Sequence, residues 1–271
     1  MDSKQSFGGD ISCSEMVTER REGPAAIDLL KILKYDEELV QTDVEACLTL
    51  GYTQSDTAHA RSTWVLHSTE IGEFLAGSGG SALLLINGNS DATEFISPLS
   101  FVCAKISDMV SVSRHILLAI FFCGRHPDEL RNPRANAKGL LASLTGQLLM
   151  QVEKRRLSEF EMSLPFVDND TYNAIHEEDM EALFRVFRGI VTQLPKGTII
   201  FLLVDSLSAY ENSTRKEDTV SLMRKLARFV KSLKNVALKV LITCPGQSMY
   251  ADRWTSFTDR KAQMLHVPEY L

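Results

Sequence analysis

The chain has 271 residues, 44% of them hydrophobic, and a formal net charge of −6. That length suits one large α/β domain, or one domain with a helical extension. The acidic balance argues against a dedicated nucleic-acid binder, which carries an excess of Lys and Arg. The first 24 residues contain no apolar core of a signal peptide. The longest strongly apolar run, ILLAIFFC at 116–123, is far short of the ~20 residues that cross a bilayer. Five cysteines without a C-x-x-C pair fit a reducing compartment. The expectation is an intracellular protein of the cytoplasm, with the nucleus left open.

Residues 1–24 are polar and carry Gly8, Gly9, Gly23 and Pro24, which predicts a disordered tail. Residues 25–76 read as a helical extension. Ile27, Leu30, Leu33, Leu39, Val44 and Leu48 recur at helical spacing, with Gly51 as a stop. Asp56 is a candidate cap for helix running to Leu75, with Trp64, Ile71, Phe74 and Leu75 on its apolar side. AGSGGS at 76–81 ends it.

From 77 to 271 the pattern changes to buried strands alternating with helices. Strands are predicted at 81–88, 115–123, 198–205, 237–243 and 262–267. Helices are predicted at 97–110, 135–156, 177–194 and 218–234, with an acidic, irregular stretch before 176. Ser97 stands at an N-cap and Pro98 at the first helical position, where a missing N–H costs nothing. In 218–234, Leu222, Leu226, Phe229 and Leu233 form one apolar face, and Arg224, Lys225, Arg228, Lys231 and Lys234 a solvated basic one. Strands apolar throughout and separated by helices indicate a parallel sheet covered on both faces, a three-layer α-β-α sandwich. Ligands in such folds bind beyond the carboxyl ends of the strands.

Four segments at those ends carry a resemblance. WVLHSTEIGEFLAGSGGSALLLING looks like the helix and glycine linker that lead into a Walker A strand. ILLAIFFCGRH, followed by GLLASLTGQLL, looks like the second strand and its helix. TIIFLLVDSLSAYE looks like a Walker B strand, whose family form continues D-G-L-D-E. LKVLITCPG looks like the following strand, which in the family ends near S-R-P. Together they resemble the P-loop NTPase domain of NACHT-like STAND proteins, of the type found in fungal proteins, over roughly residues 60–268. The resemblance implies a mainly parallel five-stranded sheet of order 5-1-4-3-2. It also implies a nucleotide site at Gly88, Asn89, Asp91, Thr93, Glu94, Asp205, Ser206 and Thr243.

The chemistry of that site is damaged. A working loop needs a Lys on the β- and γ-phosphates and a Ser or Thr on Mg²⁺. Counted from Gly88, the second Gly becomes Thr93, the Lys becomes Glu94 and the hydroxyl becomes Phe95. No Lys or Arg stands between Arg61 and Lys105. Like charges 4 Å apart repel by about 1 kcal/mol in water and by several at lower effective dielectric. An exposed helix N-terminus offers an anion only ~0.3–1 kcal/mol. Asp91 and Glu94 therefore expel phosphate. Asp205 is kept, but Ser208 and Ala209 replace the later acids, Glu211 lies two residues beyond, and Pro245 replaces the terminal Arg. Without these groups the transferring phosphoryl charge has no stabiliser, and ATP hydrolysis is not expected.

The implied function is a non-catalytic, pseudo-NTPase domain that acts through an unidentified protein partner, with no cofactor, no membrane and no nucleic acid. Two alternatives stay open: a STAND-type switch binding ATP or ADP with Mg²⁺ through Asp205, and an accessory biosynthetic α/β protein. Asp91 and Glu94 also stand three apart like a capping box, so these carboxylates are expected to occupy the loop donors that a phosphate would use. Cys123-Gly-Arg-His126 is a lone C-x-x-H, weak as a metal site. Cys103 reads as core, and no G-x-S-x-G is present.

Overall fold

A computed structural model describes residues 26–76, 80–90, 97–110, 116–155, 162–258 and 261–270. Five strands form one sheet: β1 (Ala82–Asn87), β2 (Ile116–Phe122), β3 (Ile199–Asp205), β4 (Ala237–Cys244) and β5 (Ala262–His266). Their order is β2-β3-β4-β1-β5 and every pairing is parallel. This is the expected order read from the other edge. The fifth strand closes against β1, from Leu83 opposite Ala262 to Asn87 opposite His266.

The alternation of side chains along each strand builds two cores. On one face lie Leu83, Leu85, Ala119, Phe121, Leu202, Val204, Val240 and Ile242. They are covered by α1 (Ala26–Ile32), α6 (Ala137–Arg155), α8 (Met180–Gln193) and α9 (Lys216–Ser232). On the other lie Leu84, Ile86, Ile120, Phe122, Phe201, Leu203 and Leu241. They are covered by α5 (Pro98–Val110), α2 (Glu37–Tyr52), α3 (Asp56–Leu66) and α4 (Thr69–Leu75). Of these four, only α5 lies between two strands in the chain. Helices from the amino-terminal quarter complete that layer.

Several boundaries differ from the periodic pattern, each for a local reason. The helix expected over 25–50 is two. Lys34 turns the chain in the left-handed region, and Asp36 starts α2 by accepting the Leu39 N–H at 3.0 Å. Gly51 is no stop, since α2 runs to Tyr52; a Cβ there would meet the Phe101 ring at 1.9 Å, so this glycine lets α2 and α5 approach. The helix expected over 56–75 breaks at Ser68, whose hydroxyl caps α4, and the cap of α3 is Ser55 rather than Asp56. The stretch expected to be irregular holds α7 (Asn169–His176), capped by Asp168 through the Thr171 N–H at 2.8 Å. The expected tail, 1–24, lies outside the described residues.

One buried cation shapes the α4 side. Lys239 on β4 is 1% exposed and gives its ammonium to the carbonyls of Phe74 and Ala76, at the carboxyl end of α4. The Phe74 and Phe201 rings face it, and burial lowers its pKa. A cation at a helix C-terminus meets both orphan carbonyls and the favourable end of the dipole. Among the described residues no helix is long and apolar enough to cross a membrane.

Candidate functional site at the strand ends

The alternation that splits the core also aims the site. Phe201 and Leu203 face the α5 layer, so Asp205, two residues on, faces it too; Thr243 follows Leu241 in the same way on β4. There Asp205 meets hydroxyls on both oxygens. Thr243 donates to Oδ1 at 2.6 Å, and Ser100 and Ser206 donate to Oδ2 at 2.7 and 2.9 Å. Asp205 is 1% exposed. Burial raises its pKa above the ordinary carboxylate value, and the hydrogen bonds from Thr243, Ser100 and Ser206 pull it partly back.

Two of these hydroxyls are held from behind. Ser97 and Ser100 cap α5 reciprocally: the Ser97 N–H donates to Ser100 Oγ at 3.0 Å, and the Ser100 N–H to Ser97 Oγ at 3.3 Å. Ser97 at the N-cap and Pro98 at the first position therefore stand where the sequence placed them. Thr243 Oγ1 accepts the Ser206 N–H at 3.0 Å, so Asp205, Ser206 and Thr243 close a ring. Ser206 has φ 56°. That left-handed backbone costs a non-glycine residue roughly 1–2 kcal/mol and is the conformation glycine adopts freely. The resemblance puts a glycine at this position.

Gly88 and Asn89 take another course. The N–H groups of Gly88, Asn89 and Ser90 donate to the carbonyls of Cys244, Gly246 and Pro245 at 2.8, 3.1 and 3.0 Å. Beyond the last β1–β4 pair, these bonds tie the chain after β1 to the end of β4 and the turn that follows it. A Cβ on Gly88 would lie 2.3 Å from the Pro245 oxygen, so only glycine allows the two backbones so close. Asn89 donates through Nδ2 to the Val267 carbonyl at 2.7 Å and accepts from Gln247 at 2.8 Å. Arg61 on α3 donates to the Gly88 carbonyl and to those of Pro268 and Glu269. Asp91, Thr93 and Glu94, with their expected capping box, lie outside the described residues. Where the loop is described, carbonyls rather than carboxylates take up its donors.

Several other polar groups at this edge are also engaged, although the buried Tyr210 hydroxyl has no hydrogen-bond partner among the described residues. Glu211 accepts from Ser248 Oγ at 2.6 Å and the Met249 N–H at 2.8 Å, fixing the loop after β4. Arg215 is buried, donates to the carbonyls of Ala135, Pro127 and Ala209, and lies over the Tyr210 ring. His126 and Arg125 bind opposite oxygens of Asp43 on α2, at 2.6 and 3.2 Å, and Asn132 meets the other His126 nitrogen at 3.3 Å. Among the described residues no group of three or more His, Cys, Asp or Glu is placed to hold a metal ion. Cys103 is fully buried, as expected of a core residue. On α9, Lys225 pairs with Glu181 and Arg224 donates to the Arg253 carbonyl.

The structure thus joins Asp205, Ser206 and Thr243 in one network, while Gly88 and Asn89 bond instead to Cys244, Gly246, Gln247 and Val267. Ser100 and Arg61 complete the two groups and were not expected. Ser100 was legible in the S-P-L-S spacing, which repeats the reciprocal cap. Arg61 carried no signal, because its partners are backbone carbonyls remote in sequence.

An all-parallel five-stranded sheet with helices on both faces defines an α/β sandwich, here with a buried carboxylate at the end of an inner strand. The sequence profile of the family described as Nephrocystin 3, N-terminal, matches residues 61–244, well over half of the chain. The chain belongs to that family, which is associated with NACHT and STAND proteins. No curated protein matches the sequence.

Proposed function

We propose that this chain is a P-loop NTPase-like domain whose phosphate site is lost, and that it works as a non-catalytic interaction or accessory module of STAND type. The observation that carries the reading is the occupation of the groups such a site needs. Both oxygens of Asp205 accept from hydroxyls, and the N–H groups of Gly88, Asn89 and Ser90 are spent on the loop after β4. The cation a triphosphate requires has no counterpart between Arg61 and Lys105, and Arg61 itself is committed to three carbonyls. These residues do not fit Mg²⁺–ATP hydrolysis.

One contact favours a second reading, a nucleotide-binding switch. P-loop NTPases hold Mg²⁺ with a hydroxyl at the start of the helix after β1 and the carboxylate of the Walker B strand. Ser100 is not the position the loop spacing gives that hydroxyl, which is Phe95, but it brings a hydroxyl from the start of α5 to Asp205 at 2.7 Å. Thermal melting with ATP, ADP and GTP, each with Mg²⁺, separates the readings. A ligand at ~100 Kd adds about 2.7 kcal/mol. The module reading expects no shift at millimolar nucleotide. A clear shift abolished by Asp205→Ala would establish the switch in its place.

A further inference from the structure

A second surface with chemistry of its own lies on the outer side of α8. A groove of about 650 Å³ runs between the chain at Phe166 and the outward face of this helix. Its floor depends on Gly189: a Cβ there would meet the Phe166 ring at 2.5 Å, so the ring rests on bare helix backbone. Phe184 supplies a second aromatic face and is braced from below by Phe187 and Phe229, each ring centroid 6.0 Å away. A volume of this size is within the ordinary range of ligand pockets.

Arg185 and Arg188, both exposed, stand among these rings. Arg185 gives one N–H to the Thr171 hydroxyl at 3.3 Å, which orients the guanidinium; the exposed Asp168 lies close enough that hydrogen bonds from Thr171 and the Arg185 charge together hold its carboxyl below the ordinary value. Arg188 has no carboxylate partner among the described residues. The acid lining the groove, Glu181, is already paired with Lys225, whose ammonium also sits 5.7 Å over the Phe184 ring. Arg185, Arg188 and Lys225 outnumber Glu181 and Asp168, so a chain of net charge −6 presents here a small surplus of positive charge beside half-buried aromatic surface.

We infer that this groove docks an acidic peptide of a partner protein, with Arg185 and Arg188 taking its carboxylates and the Phe166–Phe184 surface taking an aromatic or aliphatic anchor. Guanidinium forks match carboxylates bidentately, and buried aromatic anchors concentrate binding energy at peptide interfaces. Two arginines are too few for the phosphate tracking that supports nucleic-acid binding. The inference goes beyond the reading of the strand ends and stands on a different surface, so its failure leaves that reading intact.

The test is fluorescence anisotropy with the full chain and a fluorescein-labelled octapeptide carrying Phe and Leu among Glu and Asp. A counterpart with Lys and Arg in place of the acids is the control. Saturable binding of the acidic peptide alone is expected, weakened by salt and weakened about tenfold or more by the double substitution Arg185→Glu, Arg188→Glu. The milder Arg185→Gln, Arg188→Gln pair, which touches only exposed side chains, should weaken it in the same direction with an unchanged circular dichroism spectrum. Absence of binding at millimolar peptide, equal binding of both peptides, or insensitivity to both double substitutions overturns the inference. So does an RNA octamer that binds more tightly than the peptide. Deletion of residues 1–24 raising peptide affinity tenfold would give the groove to the chain's own amino-terminal segment. Self-association abolished by the same arginine substitutions would give it to a second copy.

Discussion

Replacing Asp205 by Ala removes the acceptor shared by Ser100, Ser206 and Thr243. Hydrogen bonds to a charged group are each worth roughly 1.5–3 kcal/mol. Their loss is offset by release of a buried charge, whose effective desolvation cost is several kcal/mol. Some partners survive: Ser100 keeps Ser97, and Thr243 still accepts the Ser206 N–H. The net expectation is a loss of about 2–4 kcal/mol, read as a drop of some 5–12 °C in Tm. Asp205→Asn keeps an amide that rotated hydroxyls can satisfy, and should cost about 1 kcal/mol or less. Acidification sharpens the test. The folded pKa of Asp205 is raised, so the ionised carboxylate weakens the native state at pH above that value. Stability is regained as pH falls from the folded pKa towards the unfolded value of 3.8, and the gain is complete below it. In urea titrations the wild type should therefore gain on Asp205→Asn as pH falls through that window. If Asp205→Ala melts with the wild type, or if the wild type loses ground to Asp205→Asn on acidification, the account of this network is wrong.

Ser206 separates backbone strain from side-chain bonding: Ser206→Ala keeps φ 56° and loses the hydroxyl on Asp205, so it should be less stable than Ser206→Gly by about 1 kcal/mol. A chemical denaturation series reads that difference, and equal stability would remove the strain. Asp43→Asn weakens the acceptor for Arg125 and His126 and should cost about 1–3 kcal/mol, with faster amide exchange confined first to α2. Deletion of residues 1–76 strips α2, α3 and α4 from the layer over Leu84, Ile86, Phe201 and Leu241, leaves α5 alone there with its outer side bare, and should give an aggregating product without a cooperative melt. A monodisperse 77–271 fragment with a sharp transition would make the amino-terminal helices a separate unit.

The sheet was legible because its strands are apolar on both faces and bounded by Gly, Pro and capping residues. Ser97-Pro98 placed one helix start to the residue. Short capped segments were not legible. The periodicity of 25–50 and 56–75 continues across Asp36 and Ser68, and apolar spacing alone does not register a cap. The site divides along the same line. Asp205 and Thr243 follow from strand alternation plus the resemblance, and Ser100 follows from a cap pattern. Arg61, Arg215 and Lys239 bind carbonyls distant in sequence, and no local pattern encodes such a partner.

The three backbone bonds that join residues 88–90 to the loop after β4 set a threshold for any anion seeking those N–H groups. It must first part the two loops, and bonds of this kind are worth ~0.5–1.5 kcal/mol each. Opening all three therefore costs about 1.5–4.5 kcal/mol, and apparent affinity falls by at least tenfold relative to a loop already open. Selection on a ligand at this edge would act first on Gly88, Pro245 and the residues that seat them against each other, before it touched any group that contacts the ligand.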